Sequence, residues 1–276
     1  MLLADLPPYR LTPAAPDRAS ALVFASPHSG EALPEDMAYA RDLAPEAVNS
    51  ACDVAMDQFL AIGPSGGVPL LSGQISRAYV DLNRAPHEID PQLVVDAPEG
   101  LIASAKTRAG YGVVPRLSGR GQALYDRDLS LSEVGGRLAK VHAPYHAALS
   151  DLMTQARARH GRAILIDWHS MPGRATGATG ADVVLGDRYG SACQAEVTRH
   201  LRQMFESLGW RVALNHPYAG GYSTQVWGRP DEGFEAIQIE LSRKLYWDEG
   251  RGCPSSGWRR CQSGLNQILA GLMAQY

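Results

Sequence analysis

Three short apolar runs, each leading into polar residues that a core strand has no use for, constrain this chain more than any other feature. ALVFAS (21–26) leads into Pro27-His28-Ser29-Gly30-Glu31. RAILID (162–167) leads into Trp168-His169-Ser170-Met171-Pro172, and AIQIEL (236–241) contains Glu240 and leads into Ser242-Arg243. Apolar runs of this length, punctuated by glycine and proline, read as strands buried on both faces. Strands of that kind belong to a sheet covered by helices on either side, and the crevice outside their carboxyl ends is where such sheets bind ligands.

The rest of the chain fits that scheme. Residues 45–62 have helical spacing, with Pro45 suited to a first turn. GVPLLSGQI and RAYVDLN read as two short strands, and the stretch from Arg84 to Arg127, rich in turn residues, reads as a looped excursion. A helix is expected from Ser130 to about His142, broken by Pro144 and restarting there to run to Arg159. The strand ADVVLG, a helix over 190–208, the strand RVALN and a closing helix over 256–274 complete the pattern. The first twenty residues are proline-rich and read as irregular. Strands alternating with helices predict one α/β domain spanning residues 1–276, a sandwich with a central mixed, mostly parallel sheet flanked by helices.

Composition narrows the function. A formal net charge of -3 with 20% charged residues gives no electrostatic footprint for nucleic acid. No segment approaches the roughly 20 apolar residues of a membrane span, and the N-terminus lacks the pattern of a leader, so a cytoplasmic location is expected. Cys52, Cys193, Cys253 and Cys261 form no CxxC pair and read as reduced thiols. Lysine occurs only at 106, 140 and 244, so basic chemistry falls to arginine, whose fork suits carboxylates.

The polar strand ends carry the chemistry. His28 and Glu31 stand three positions apart and can face one cation, and His169 would complete a catalytic His₂Glu set with an open fourth position. The same residues also read as a loop histidine beside an exposed acid. Glu240 is expensive to bury without a partner or a task. It reads either as a general base or as the ion-pair partner of Arg243. Arg77, Asn83 and Arg84 in SRAYVDLNR suit a substrate carboxylate or a developing oxyanion, or else a solvated strand edge. His142 and His146 lack the glutamate of a zincin pair. The glycine-rich NHPYAGGY (215–222) lacks the lysine of a phosphate loop and reads as a loop over a small ligand, with Tyr222 offering a hydroxyl.

SPHSGEALP, VDLNR, PYH, DWHSMP, VLGDRYG, NHPYAGGYSTQVWG and IQIELSRKLYWDE, in this order, resemble the N-formylglutamate amidohydrolase family across most of residues 21–250. The resemblance implies a phosphorylase/hydrolase-like three-layer sandwich related to zinc carboxypeptidases and aspartoacylases. It implies one zinc ion per chain held by His28, Glu31 and His169, with Glu240 as general base and Arg77 polarising the scissile carbonyl. Asn83 and Arg84 would hold the substrate carboxylate. Tyr222 and Arg229 match loop positions of the pattern, and Arg229 is a candidate for a second carboxylate. Trp168 stands where the family pattern has a smaller residue. The implied reaction is hydrolysis of an N-acyl acidic amino acid, N-formyl-L-glutamate first, to formate and glutamate. A zinc peptidase acting on short or cell-wall peptides and a non-catalytic metabolite-binding relative are the alternatives.

Overall fold

The computed structural model describes residues 6–15, 18–98 and 103–276. Its main strands are β1 (Tyr9–Thr12), β2 (Leu22–Ser26), β3 (Leu70–Gly73), β4 (Ala163–Met171), β5 (Val183–Gly186), β6 (Val212–Leu214) and β7 (Phe234–Ser242). Its α-helices are α1 (Pro45–Val48), α2 (Met56–Phe59), α3 (Ala105–Arg108), α4 (Leu131–Arg137), α5 (Ala143–His160), α6 (Ala195–Ser207), α7 (Tyr222–Trp227) and α8 (Trp258–Gln275). The strands join in the order β1-β3-β2-β4-β7-β5-β6 as one mixed, mostly parallel sheet. β2, β4 and β7 run parallel, and β5 is antiparallel to β7 but parallel to β6.

The chain forms two compact units. The first comprises Met1–Arg10, Pro27–Asp53 and Ser72–Leu149, and the second Leu11–Ser26, Val54–Leu71 and Ser150–Tyr276. Most of the sheet lies in the second unit, where alternation along the strands separates two faces. Ile164, Ile166 and Trp168 of β4 share one apolar core with Ile237, Ile239 and Leu241 of β7, and α2, α6 and α8 contribute Phe59, Phe205 and Leu269 to it. The alternate residues of β4 and β7 point the other way. Trp168 is fully buried in the apolar core, edge-on to Phe24 at 6.1 Å, so it packs behind His169 on the opposite face of β4.

Four local expectations are corrected. The N-terminal stretch contains β1, so it is not wholly irregular. The expected helix over 45–62 is broken: α1 ends at Val48, a 3₁₀ turn follows at Asn49–Ala51, and Ala55 is left-handed at φ 58 before α2. The Asp53 N–H bonds the carbonyl of His28 at 2.8 Å, a tertiary bond in place of a helical one. RAYVDLN is a run of turns, because Ser76 Oγ accepts from the Ala78 N–H and Asp81 Oδ1 from the Asn83 N–H, drawing the backbone away from a ladder. Pro144 does not break its helix. A π-turn over Leu138–His142 widens the spiral, the Ala143 N–H reaches the carbonyl of Leu138, and α5 continues through the proline.

The excursion over 84–127 is largely turns, with the short α3 inside it. Helix α4 then starts on a full capping box: Ser130 accepts from the Glu133 N–H, and Glu133 accepts from the Ser130 N–H. Hydrogen bonds from Arg127 and from the Ser130 backbone pull the Glu133 carboxyl down to about 2. Ser130→Ala is expected to cost about 1 kcal/mol of stability. Denaturant unfolding checks this, and an unchanged midpoint would show that the cap contributes nothing.

Candidate active site

In the first unit the carboxylate of Asp81 organises a buried polar cluster. Its Oδ1 accepts from His28 Nε2 at 2.7 Å and its Oδ2 from Arg77 Nη2 at 2.6 Å. Because a carboxylate can only accept, the His28 ring donates Nε2–H to it and turns Nδ1 to its other side. That nitrogen lies 3.5 Å from Asp53 Oδ2. Burial alone would raise the Asp81 carboxyl, but the charges of Arg77, His28 and Arg84 outweigh it and hold the group well below the usual carboxylate range. Burial would likewise depress the Arg77 guanidinium, and the charges of Asp81 and Asp53 instead hold it above its ordinary value. Cys52, next to Asp53, is a neutral thiol pushed up to about 11 by burial.

The turn carrying Asn83 and Arg84 is clamped from α5 and the turn before it. His142 donates Nε2–H to the carbonyl of Arg84 and His146 donates Nε2–H to that of Leu82, each at 2.9 Å. The two histidines set aside as a zincin pair therefore position the VDLNR turn. Arg84 donates Nε to the carbonyl of Tyr111 and Nη1 to that of Asn83. These bonds fix the guanidinium while its Nη2 has no protein partner among the described residues. Glu31 is exposed and lines an open groove of about 460 Å³ with Pro34, Tyr39 and Asn49.

In the second unit β4 and β7 pair in register, with Asp167 opposite Gln238 and His169 opposite Glu240. Residues two apart on a strand share a face, as do cross-strand partners, so these four polar side chains form one patch on an otherwise apolar sheet. Gln238 Nε2 donates to Glu240 Oε1 at 2.8 Å. His169 Nε2 lies 3.2 Å from Asp167 Oδ2, but off the line of a good hydrogen bond, and both oxygens of this fully buried acid lack a hydrogen-bond partner among the described residues. Arg243 donates to Ser170 Oγ at 3.1 Å and approaches Glu249 at 3.9 Å. Tyr222 opens α7. Arg229 is exposed, bonded to Glu232 at 2.6 Å and lying over the rings of Trp227 and Phe234.

Sequence reasoning passed over Asp53, Asp81, Asp167 and Gln238. Asp167 carried a usable signal, a carboxylate inside an apolar run one residue from the histidine-bearing strand end. Asp53 carried less, since it sits in a segment with good helical spacing.

Neighbouring parallel strands of a mixed sheet bring a histidine and a glutamate together on one face, and the comparisons with known proteins place the chain among the amidohydrolases. The model of the family described as N-formylglutamate amidohydrolase matches residues 20–247, and the chain belongs to that family. An N-formylglutamate deformylase of Pseudomonas putida is 27% identical over 237 residues, covering 83% of this chain and 82% of that one. An N-formylglutamate deformylase of Pseudomonas aeruginosa is 29% identical over 189 residues, and the aligned part spans 66% of each chain. The crystal structure of an N-formylglutamate amidohydrolase from Ralstonia eutropha JMP134 superposes with a TM-score of 0.90 at 32% identity, covering 98% of both chains. Among the described residues no helix is long and apolar enough to cross a membrane.

Proposed function

We propose that this protein hydrolyses N-formyl-L-glutamate to formate and L-glutamate, using one zinc ion per chain held by His28, Asp53 and His169. The reading is carried by the cross-strand pair of His169 and Glu240, on a buried polar face, in a chain of this family. The donor chemistry fits a divalent cation: each of the three residues is buried and offers one ligand atom. Asp81 holds His28 on its Nε2 side, the outer-shell arrangement that leaves the other nitrogen for a metal. Asp53 takes the carboxylate place in this scheme, and the exposed Glu31 is left outside it.

When bound, such a cation supplies a Lewis acid that polarises the formyl carbonyl and makes a water acidic near neutral pH. Glu240 accepts the proton of the attacking water and returns it to the leaving amine nitrogen. Its bond from Gln238 Nε2 to Oε1 orients the carboxylate. Arg77, held by Asp81 and by the carbonyl of Ala51, stabilises the oxyanion as it forms. Asn83 and Arg84 hold the substrate α-carboxylate, to which Arg84 presents Nη2. Tyr222 contributes a hydroxyl to the bound substrate. Arg229, neutralised by Glu232, has no part in the scheme.

Formate release from N-formyl-L-glutamate by zinc-reconstituted protein, beside a chelator-stripped sample, tests this reading. Metal-dependent formate is expected. A protein that holds zinc but releases no formate would remove the substrate assignment, and equal release by both samples would remove the metal.

A further inference from the structure

The scheme above leaves the side-chain carboxylate of the substrate without a partner, and the second unit contains a guanidinium without one. Arg188 follows β5 and is partly buried, yet among the described residues its side chain has no hydrogen bond, ion pair or ring contact. The other arginines of this unit are engaged or plainly solvated: Arg162 binds Glu235, Arg211 approaches Asp182, Arg229 binds Glu232, and Arg199 is exposed on α6.

The backbone of Arg188 is held firmly for a residue with an unengaged head group. Arg188 and Tyr189 are both left-handed, at φ 54 and φ 59, a conformation costly for residues with a Cβ. Neighbouring bonds maintain it. The Arg188 N–H bonds the carbonyl of Ala219 at 2.8 Å. Asn215 Oδ1 accepts from the N–H groups of Asp187 and Tyr189, while Asp187 accepts from Asn215 Nδ2 and Thr198 Oγ1.

Register places Gly186, two residues before this arginine, on the face that carries Glu240. Gly186 pairs with Gln238 and Val184 with Glu240, so all four point to one side of the sheet. On that side the backbone of Ala219 and Gly220 presses on Gly186: a Cβ there would lie 2.7 Å from Gly220 N. Gly220 in turn packs against the stem of Arg188, where a Cβ would meet Cγ at 3.1 Å. The bare backbone of Gly186 thus lets the loop lie close over this face, and Gly220 packs against the Arg188 stem beside it. Gly186 lies two residues from Val184, roughly 7 Å at strand spacing. That offset suits a carboxylate carried on a short side chain away from the scissile bond.

We propose that Arg188 is the specificity residue that binds the side-chain carboxylate of the substrate. This rests on the function proposed above. It accounts for a strained and well-buttressed backbone that ends in an unpaired partly buried cation, the arrangement expected where a ligand supplies the counter-charge.

The test compares wild type, Arg188→Gln and Arg188→Lys on N-formyl-L-glutamate and on N-formyl-L-glutamine, which has the same shape without the charge. Arg188→Gln is expected to raise KM for the glutamate substrate by about 10- to 100-fold. It should leave turnover of the glutamine substrate nearly unchanged, and Arg188→Lys should recover part of the loss. Equal losses on both substrates, or none on either, would overturn the assignment. If wild type hydrolyses neither compound, the proposed reaction fails separately, and calorimetric binding of glutarate against butyrate decides the point. A wild-type preference for glutarate that Arg188→Gln abolishes upholds the site, and no such preference overturns it.

Discussion

Replacing Glu240 with glutamine is expected to lower kcat/KM for N-formyl-L-glutamate by about 10²- to 10⁴-fold, the range contributed by a positioned general base, with zinc content unchanged. The substitution is nearly isosteric. Its amide oxygen can still accept from Gln238 Nε2, so the 2.8 Å bond that orients the side chain survives. What disappears is the capacity to take a proton from water and give it to the amine. Glu240 is buried among polar neighbours and is the cross-strand partner of His169. Metal analysis beside steady-state kinetics separates the possible roles. Loss of zinc together with activity would make Glu240 a ligand, and retained activity would reduce it to a structural acid.

His28, His169 and Glu240 were legible in the sequence for a single reason: each stands at the end of an apolar run, where a polar side chain demands an explanation. The same logic located β2, β4, β5 and β7, whose buried cores are short and unambiguous. It failed where tertiary bonds override local pattern. The Asp53 segment has the apolar spacing of a helix, but the bond from its N–H to His28 and the left-handed Ala55 turn the chain out of one. The VDLNR motif reads as a strand because valine and leucine alternate with polar residues, yet Asp81 folds back onto its own backbone and then spans His28 and Arg77. Bonds between residues 53 positions apart, as from His28 to Asp81, leave no local trace. Arg188 was hidden for the opposite reason. An arginine in a turn looks solvated, and its backbone strain and unpaired head group become visible only in three dimensions.

The carboxylate ligand is where the sequence expectation and the proposed site diverge, and paired substitutions decide between them. Asp53→Asn is expected to weaken zinc binding by more than the roughly 10- to 100-fold typical of an outer-shell change, and Asp81→Asn to fall within that range. Glu31→Gln, at an exposed position, is expected to change stability by no more than about 0.5 kcal/mol and to keep its zinc. Spacing favoured Glu31, because two residues three apart so often share a cation. Environment favours Asp53, which is buried, bonded through its backbone to His28, and 3.5 Å from His28 Nδ1. Zinc titration against a competing chelator reads all three variants on one scale, and circular dichroism confirms that each is folded. Retention of zinc by Asp53→Asn with its loss in Glu31→Gln would restore the His-x-x-Glu ligand pair and remove Asp53 from the site.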